Sequence, residues 1–201
     1  MGFLEELKEQ RWDDHRYYHH SRINQSLHLF SACCFLSAYV LVFINPVAAA
    51  LIGWLLAMTS RQAGHFFFEP KGYDHVNQAT HAHKESIKVG YNLRRKVILH
   101  VIWALTPFML LIDPALFGLL EPHADAYGFV YNLATLWIVL GLGAIAFRTV
   151  QLFFKSGIQT GCAWAAKIFT DPLHDISLYH RAPMQVLRGR LHDPVSSSGA
   201  G

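Results

Sequence analysis

The chain has 201 residues, of which 52% are hydrophobic and only 15% charged, with a formal net charge of +3. This fits one domain but is too apolar for an ordinary water-soluble fold, so a membrane protein is expected. The small positive balance excludes a nucleic-acid partner, because the basic residues form no patch of their own, and three cysteines, two of them adjacent at Cys33 and Cys34, exclude a disulfide framework.

Met1 to Arg16 mixes acidic and basic residues and has no apolar stretch ahead of a small-residue cleavage site, so the first span is expected to act as the insertion signal. Leu27 to Ile44 is an uncharged apolar run close to the length that crosses about 30 Å of hydrocarbon. Asn45-Pro46 supplies a turn, since proline disfavours a helical conformation in the residue before it. A second helix is expected from Val47 through the polar TSRQAGH stretch to Phe68.

Glu69 to Lys96 is polar and carries Pro70 and Gly72 as breakers, so it reads as a loop, with room for a helix lying on the surface. Val97 to Ile112 and Phe129 to Phe154 are the third and fourth apolar runs. After Gly161 the chain is amphipathic and basic, with Trp164, Ile168 and Phe169 available to face lipid.

The expected architecture is therefore all-α: a single membrane domain over residues 1–193 with about four transmembrane helices in two hairpins. The spans fall near residues 27–44, 47–68, 97–112 and 129–154; a C-terminal interfacial helix and a disordered tail over 194–201 follow. Four Lys and Arg precede the first span, seven lie from Arg61 to Lys96, six from Arg148 onward, and none in either opposite turn. The positive-inside rule then puts both termini on the cytoplasmic side, in a bacterial inner membrane or the endoplasmic reticulum.

Of 13 histidines, only His123 lies away from this basic face, so a shared site is geometrically open to the rest. Ser21 is a good N-cap, which leaves His19 and His20 just before the first helix and sets Asn24 and His28 one turn apart on one face. His65 and Glu69 are spaced i to i+4 and project together from the end of the second helix. If the two helices pack antiparallel, His28 and His65 become neighbours, and a metal held by nitrogen ligands with carboxylate support is expected there. Iron, zinc, copper and manganese all suit such donors.

Plainer readings compete at each position. Interfacial histidines at His15, His75, His81, His83, His174, His180 and His192 are by default hydrogen-bonding groups, and His100 inside the third span is expected in an interhelical hydrogen bond. His65 and Glu69 are alternatively only each other's partners. Arg61 snorkels to the interface on the plainer view.

Two motifs carry a family resemblance: Tyr18-His19-His20 followed by Asn24 and Leu27-His28, and Gly64-His65 followed by Phe68-Glu69. In these, the chain resembles the yeast-type 2-hydroxy fatty acid dioxygenases, over roughly Tyr17 to Glu69. The resemblance implies an iron(II) dioxygenase that shortens 2-hydroxy fatty acids by one carbon, with His19, His28 and His65, and His20 as a further candidate, as iron ligands. Glu69 and Asn24 become the candidates for catalytic roles, and Arg61 and Lys71 the candidates for binding the substrate carboxylate. The sequence departs from the family after Glu69, in an enlarged histidine-bearing loop, and in the TDPLHDISLYHRAP segment. Two other functions compete: a di-iron lipid hydroxylase or desaturase, from the His15-x-x-x-His19-His20 box with His81-x-His83, and a non-enzymatic lipid- or metal-binding membrane protein.

Overall fold

Five helices in this chain start at short polar side chains that accept a hydrogen bond from otherwise unpaired first-turn amides. Ser21 caps α2 (Arg22–Leu41) through the amide of Asn24, as its position predicts. Asn45 caps the next helix through Ala48, with Pro46 in the first turn, where its missing N–H costs nothing. The computed structural model describes residues 1–69 and 72–193, and of Leu93 only the backbone. In it, these two helices form a hairpin.

The second arm of the hairpin is one rod in three pieces: α3 (Pro46–Leu51), a π-helical stretch (Ile52–Met58) and α4 (Thr59–Phe67). Its extent matches the expected second helix; the π stretch is the departure. Wide turns of this kind are rare and gather at functional sites. Ahead of the hairpin the charged N-terminus is itself helical, as α1 (Phe3–Tyr18), which the sequence reading did not expect. It is held on a later helix by Arg11, which donates to Asp171 at 3.2 Å and Thr170 at 2.7 Å.

Within the polar loop α5 (His81–Ile87) is capped by Thr80. Then come α6 (Leu93–Ile112), capped by Asn92, and α7 (Ala126–Ser156), capped by Asp125. These two are the helices, among the described residues, that are long and apolar enough to cross a membrane. Only 11% of the apolar window of α6 and 22% of that of α7 is buried within the protein, so their apolar side chains face outward. They contain the expected third and fourth spans.

The expectation of four spans is not supported. The first two turns of α2 carry Asn24, Gln25, Ser26 and His28, while Val42 to Ile44, counted in the first apolar run, lie in the turn beyond its end. The second arm is interrupted by the π stretch and finishes in a polar segment.

The two hairpins meet through tryptophans. Trp54 of the π stretch stacks on Trp103 of α6 at 5.6 Å, and Trp103 sits 5.4 Å from Trp137 of α7. Indole N–H groups are donors that need acceptors when buried: Trp54 donates to the Trp137 carbonyl and Trp137 to the Thr106 hydroxyl. Pro107 deprives the Trp103 carbonyl of its helical donor, and the Thr106 hydroxyl takes that place at 2.6 Å.

A tight turn at Gly157 joins α7 to α8 (Ile158–Tyr179), and α9 (Ala182–Leu187) follows. The expected interfacial helix corresponds to α8, which has one exposed face and turns the other inward. It packs against α2, α7 and α1, and Trp164 is buried, while Phe169 alone of the three expected lipid-facing residues is exposed. The reason is that Lys167, Asp171, Asp175 and Tyr179, four residues apart along one face, all find partners inside. Residues 191–193 return to the start of α2, where Leu191 accepts from the Arg22 amide and the Asp193 amide donates to His20. The expected tail over 194–201 lies outside the described residues.

Gly157 has φ of 102°, in the region where a Cβ is strained. Gly157→Ala should lower stability by about 1–2 kcal/mol. Gly143→Ala, on an outward face of α7 with open space around it, should leave the unfolding midpoint unchanged or raise it. Thermal unfolding of detergent-solubilised protein checks the pair.

Candidate metal centre

The site is built where α2 and α4 come closest. A Cβ on Gly64 would stand 2.1 Å from Asn24 Oδ1 and 3.4 Å from the His28 ring, so only glycine permits this approach. Asn24 Nδ2 donates to the Tyr18 carbonyl at 2.9 Å, and Gln25 Nε2 to the His19 carbonyl at 2.7 Å. Both are fully buried, and together they fix the turn that carries His19 over the start of α2.

His19, His28 and His65 thereby converge. Each offers one ring nitrogen within 4.8 Å of the others, and all three are buried. Ring centroids are 4.2 Å apart for His19 and His28, 5.0 Å for His28 and His65, and 5.5 Å for His19 and His65. Among the described residues this is the one group of three or more histidines, cysteines or carboxylates with metal-holding geometry.

Tautomers follow from the partners of the other ring nitrogens, since a carbonyl or carboxylate can only accept. His19 Nδ1 lies 2.8 Å from the Asp14 carbonyl and His65 Nδ1 2.8 Å from Glu69 Oε2, so both Nδ1 atoms carry the proton and both Nε2 atoms are lone pairs. His28 Nδ1 faces Asp175 Oδ2 at 3.7 Å, just outside hydrogen-bond reach, and has no other partner. A proton at Nδ1 suits that carboxylate, and it leaves the Nε2 of His28 as a lone pair too. His19 Nε2 and His28 Nε2 are 3.1 Å apart. Two ring nitrogens at that distance need a shared proton or a cation between them.

A metal ion satisfies these constraints. Two nitrogens each about 2.0–2.1 Å from one ion, at angles between square and tetrahedral, lie about 2.9–3.4 Å apart. Each Nδ1 points at an oxygen acceptor, the arrangement that orients histidine ligands and raises their basicity. Burial, with His28 beside it, keeps the His19 imidazole well below its ordinary value, in the neutral form that ligates. Three nitrogen ligands and no thiolate leave positions open for water or substrate and suit iron, zinc or copper.

Around the triad runs a buried charge network. Arg61 donates to Asp175 at 2.9 Å and lies 3.7 Å from Asp171. Lys167 pairs at 2.8 Å with both Asp14 and Asp171. Burial alone would raise the Asp14 carboxyl, but the Lys167 ammonium more than offsets it and holds it well below the usual range. Removing one member would leave buried charge unpaired, at a cost of about 3–5 kcal/mol. Glu69 is clamped from its other side by Lys88 at 3.2 Å, whose ammonium also lies 3.6 Å from the Tyr18 ring centroid.

The remaining predicted residues are placed as follows. His20 turns away, its Nε2 against the Arg16 carbonyl and 3.5 Å from Asp74, so it is not among the converging ligands. Asn24 and Glu69 support the histidines through the contacts above. Arg61 is committed to Asp175 and Asp171 and is not a free anion-binding group. Lys71 lies outside the described residues. His15 meets the Tyr179 hydroxyl at 3.1 Å, and His81 and His83 are exposed on α5. His100 bonds the Lys96 carbonyl of its own helix instead of a neighbouring one.

Sequence reasoning missed the contribution of α8. Asp175 and Tyr179 border the triad, with the Tyr179 ring 5.8 Å from His19 and 6.4 Å from His28. The signal was present, as Lys167, Asp171, Asp175 and Tyr179 fall at steps of four. Comparison of the chain with protein-family models, with curated proteins and with solved structures gave no match.

Two substitutions test the construction. Gly64→Ala should force α4 away from Asn24 and His28 and abolish stoichiometric metal binding. Asp175→Asn should weaken metal affinity about 10- to 100-fold while the fold persists, as read by circular dichroism alongside metal titration.

Proposed function

We propose that the chain is an integral membrane, iron(II)-dependent dioxygenase that shortens 2-hydroxy fatty acids by one carbon. The observation that carries this reading is the buried convergence of three histidine rings, two of them backed by an oxygen acceptor at Nδ1 and the third with Asp175 3.7 Å away, in a protein whose longest helices are apolar on the outside. Bound there, iron(II) supplies open coordination positions for activating dioxygen and for chelating the hydroxyl and carboxylate of a 2-hydroxy acid.

The chain's own residues do the rest. His19, His28 and His65 hold the ion, the Asp14 carbonyl and Glu69 fix the tautomers of His19 and His65, and Asp175 stands 3.7 Å from His28 Nδ1. Glu69 and Asn24 act by positioning: the first orients His65, and the second holds the turn bearing His19. An apolar cavity reaching His65 keeps bulk water from the reacting end of a lipid chain.

The membrane arrangement in this reading has α6 and α7 as spans and the first hairpin entering the bilayer beside them, tip first. Its support is the exposed apolar tip, where Phe43 is 89% and Ile44 73% exposed. The charge distribution of the sequence puts both termini and the metal centre on the cytoplasmic side. A single-ion reading is favoured over a di-iron one because His15, His20, His81 and His83 are engaged elsewhere or exposed.

Metal analysis of purified protein should give about one iron per chain, lost in His19→Ala, His28→Ala and His65→Ala and kept in His20→Ala. Oxygen uptake should require the 2-hydroxy group, so 2-hydroxyhexadecanoate supports it and hexadecanoate does not. Equal uptake with both acids, or with neither, rules out the proposed substrate class.

A further inference from the structure

A cavity of about 790 Å3 lies among α2, the π stretch, α4, α6, α7 and α8. This is within the range of about 300–1,000 Å3 that holds one small ligand. Its walls are mostly apolar, with Phe35, Trp54, Trp137 and Trp164 among them. Along the second arm of the first hairpin it follows one face from Ala49 past Gly53, Met58 and Arg61 to His65. At roughly 1.5 Å per residue that face is about 24 Å long, so the cavity is elongated and ends at the metal centre.

Four cations line it, and three are already neutralised: Arg61 by Asp175, Lys88 by Glu69, and Lys167 by Asp14 and Asp171. The fourth, Lys96, makes no hydrogen bond or ion pair with its ammonium among the described residues. Glu69, which it feels at longer range, is taken by Lys88 and His65. Three further polar atoms of the lining are buried without partners, Gln10 Oε1, Gln62 Oε1 and His100 Nε2, and the last two stand on α4 and α6, the helices that carry His65 and Lys96. His100 gives its Nδ1 proton to the Lys96 carbonyl, so its Nε2 is an acceptor. Lys96 and His100 are one turn apart on α6, and the His100 ring touches Phe66 of α4 at 5.7 Å, beside His65. An apolar bore thus ends in one unpaired lysine amine and two unpaired acceptors. Unpaired buried polar groups are costly in a folded protein and mark places where a ligand completes the bonding.

We propose that this cavity holds the alkyl chain of a single-chain lipid acid and that Lys96 is the residue that binds its carboxylate, with His100 Nε2 and Gln62 Oε1 placed to accept from a hydroxyl on the head. Of the functional reading it borrows only the identity of the acid. It assigns to Lys96 the role that the sequence alone gave to Arg61 and Lys71.

The test uses full-length protein in detergent micelles, stripped of metal by a chelator, with isothermal titration of hexadecanoate, 2-hydroxyhexadecanoate and hexadecanol. Wild type should bind both acids, and the alcohol at least about tenfold more weakly. Lys96→Met should lose about tenfold or more in affinity for the acids and keep its affinity for the alcohol, which also shows that the variant is folded; Lys96→Arg should restore acid binding. Gly53→Leu, which fills the wall, should weaken the sixteen-carbon acid more than a ten-carbon one. Unchanged acid binding in Lys96→Met, an alcohol bound as tightly as the acid, or no binding of any probe to wild type would overturn the proposal. Because no metal is present, the outcome is separable from the dioxygenase reading: acid binding that depends on Lys96, together with no oxygen uptake by iron-loaded protein, would sink that reading alone.

Discussion

The close approach of α2 and α4 at Gly64 is the constraint on which the rest of the structure depends. One missing Cβ lets the His28 ring and Asn24 sit against the backbone of α4, which brings His65 across from His28. Any side chain at position 64 would have to displace the Asn24 side chain and crowd the His28 ring, and metal coordination tolerates little displacement. The turn before α2 is tied to the same point, because Asn24 and Gln25, on the first turn of α2, hold the carbonyls of Tyr18 and His19. Two neighbouring residues thus fix one ligand's backbone, and one glycine fixes the distance between the other two.

Such a cluster is expensive to bury. Three neutral imidazoles with lone pairs turned inward gain nothing from one another without a cation, and the surrounding ionic groups need their own compensation. The molecule meets this by packing the polar face of α8 against the centre. Asp175 serves both Arg61 and His28, and Asp171 joins Arg61, Arg11 and Lys167. The N-terminal helix closes the network with Asp14, whose carboxylate pairs with Lys167 while its carbonyl orients His19. In consequence, the first and last parts of the chain belong to the centre as much as the hairpin does.

At the other end of the molecule the chemistry is apolar and the specificity comes from indoles. Trp54, Trp103 and Trp137 tie the π stretch to α6 and α7, with two of their N–H groups satisfied. The wide turn places Gly53 and Trp54 on the face that also carries Arg61 and His65, so one helix lines the cavity from its apolar end to the metal centre. Fold and site are continuous along that rod.

How much of this was legible in the sequence depends on the range of the interaction. Caps at Ser21 and Asn45, the break at Asn45-Pro46, and the apolar lengths of α6 and α7 are encoded within a few residues, and local backbone chemistry suffices to read them. The spacing of Asn24 with His28 and of His65 with Glu69 is equally local. Beyond that range the sequence was silent or misleading: it kept His20 as a further ligand candidate, put Arg61 forward for the substrate carboxylate, gave α8 no part in the centre, and counted four spans. Each of these turns on which distant group sits opposite, such as Asp74 for His20, Asp175 for Arg61, and α1 and α2 for α8. The sequence by itself determined the helical, apolar character of the chain and the candidate ligand types. Only the tertiary structure decided which imidazoles share a centre and which lysine is left unpaired, because side-chain pairing is settled by packing between segments as much as 171 residues apart, where sequence periodicity carries no information.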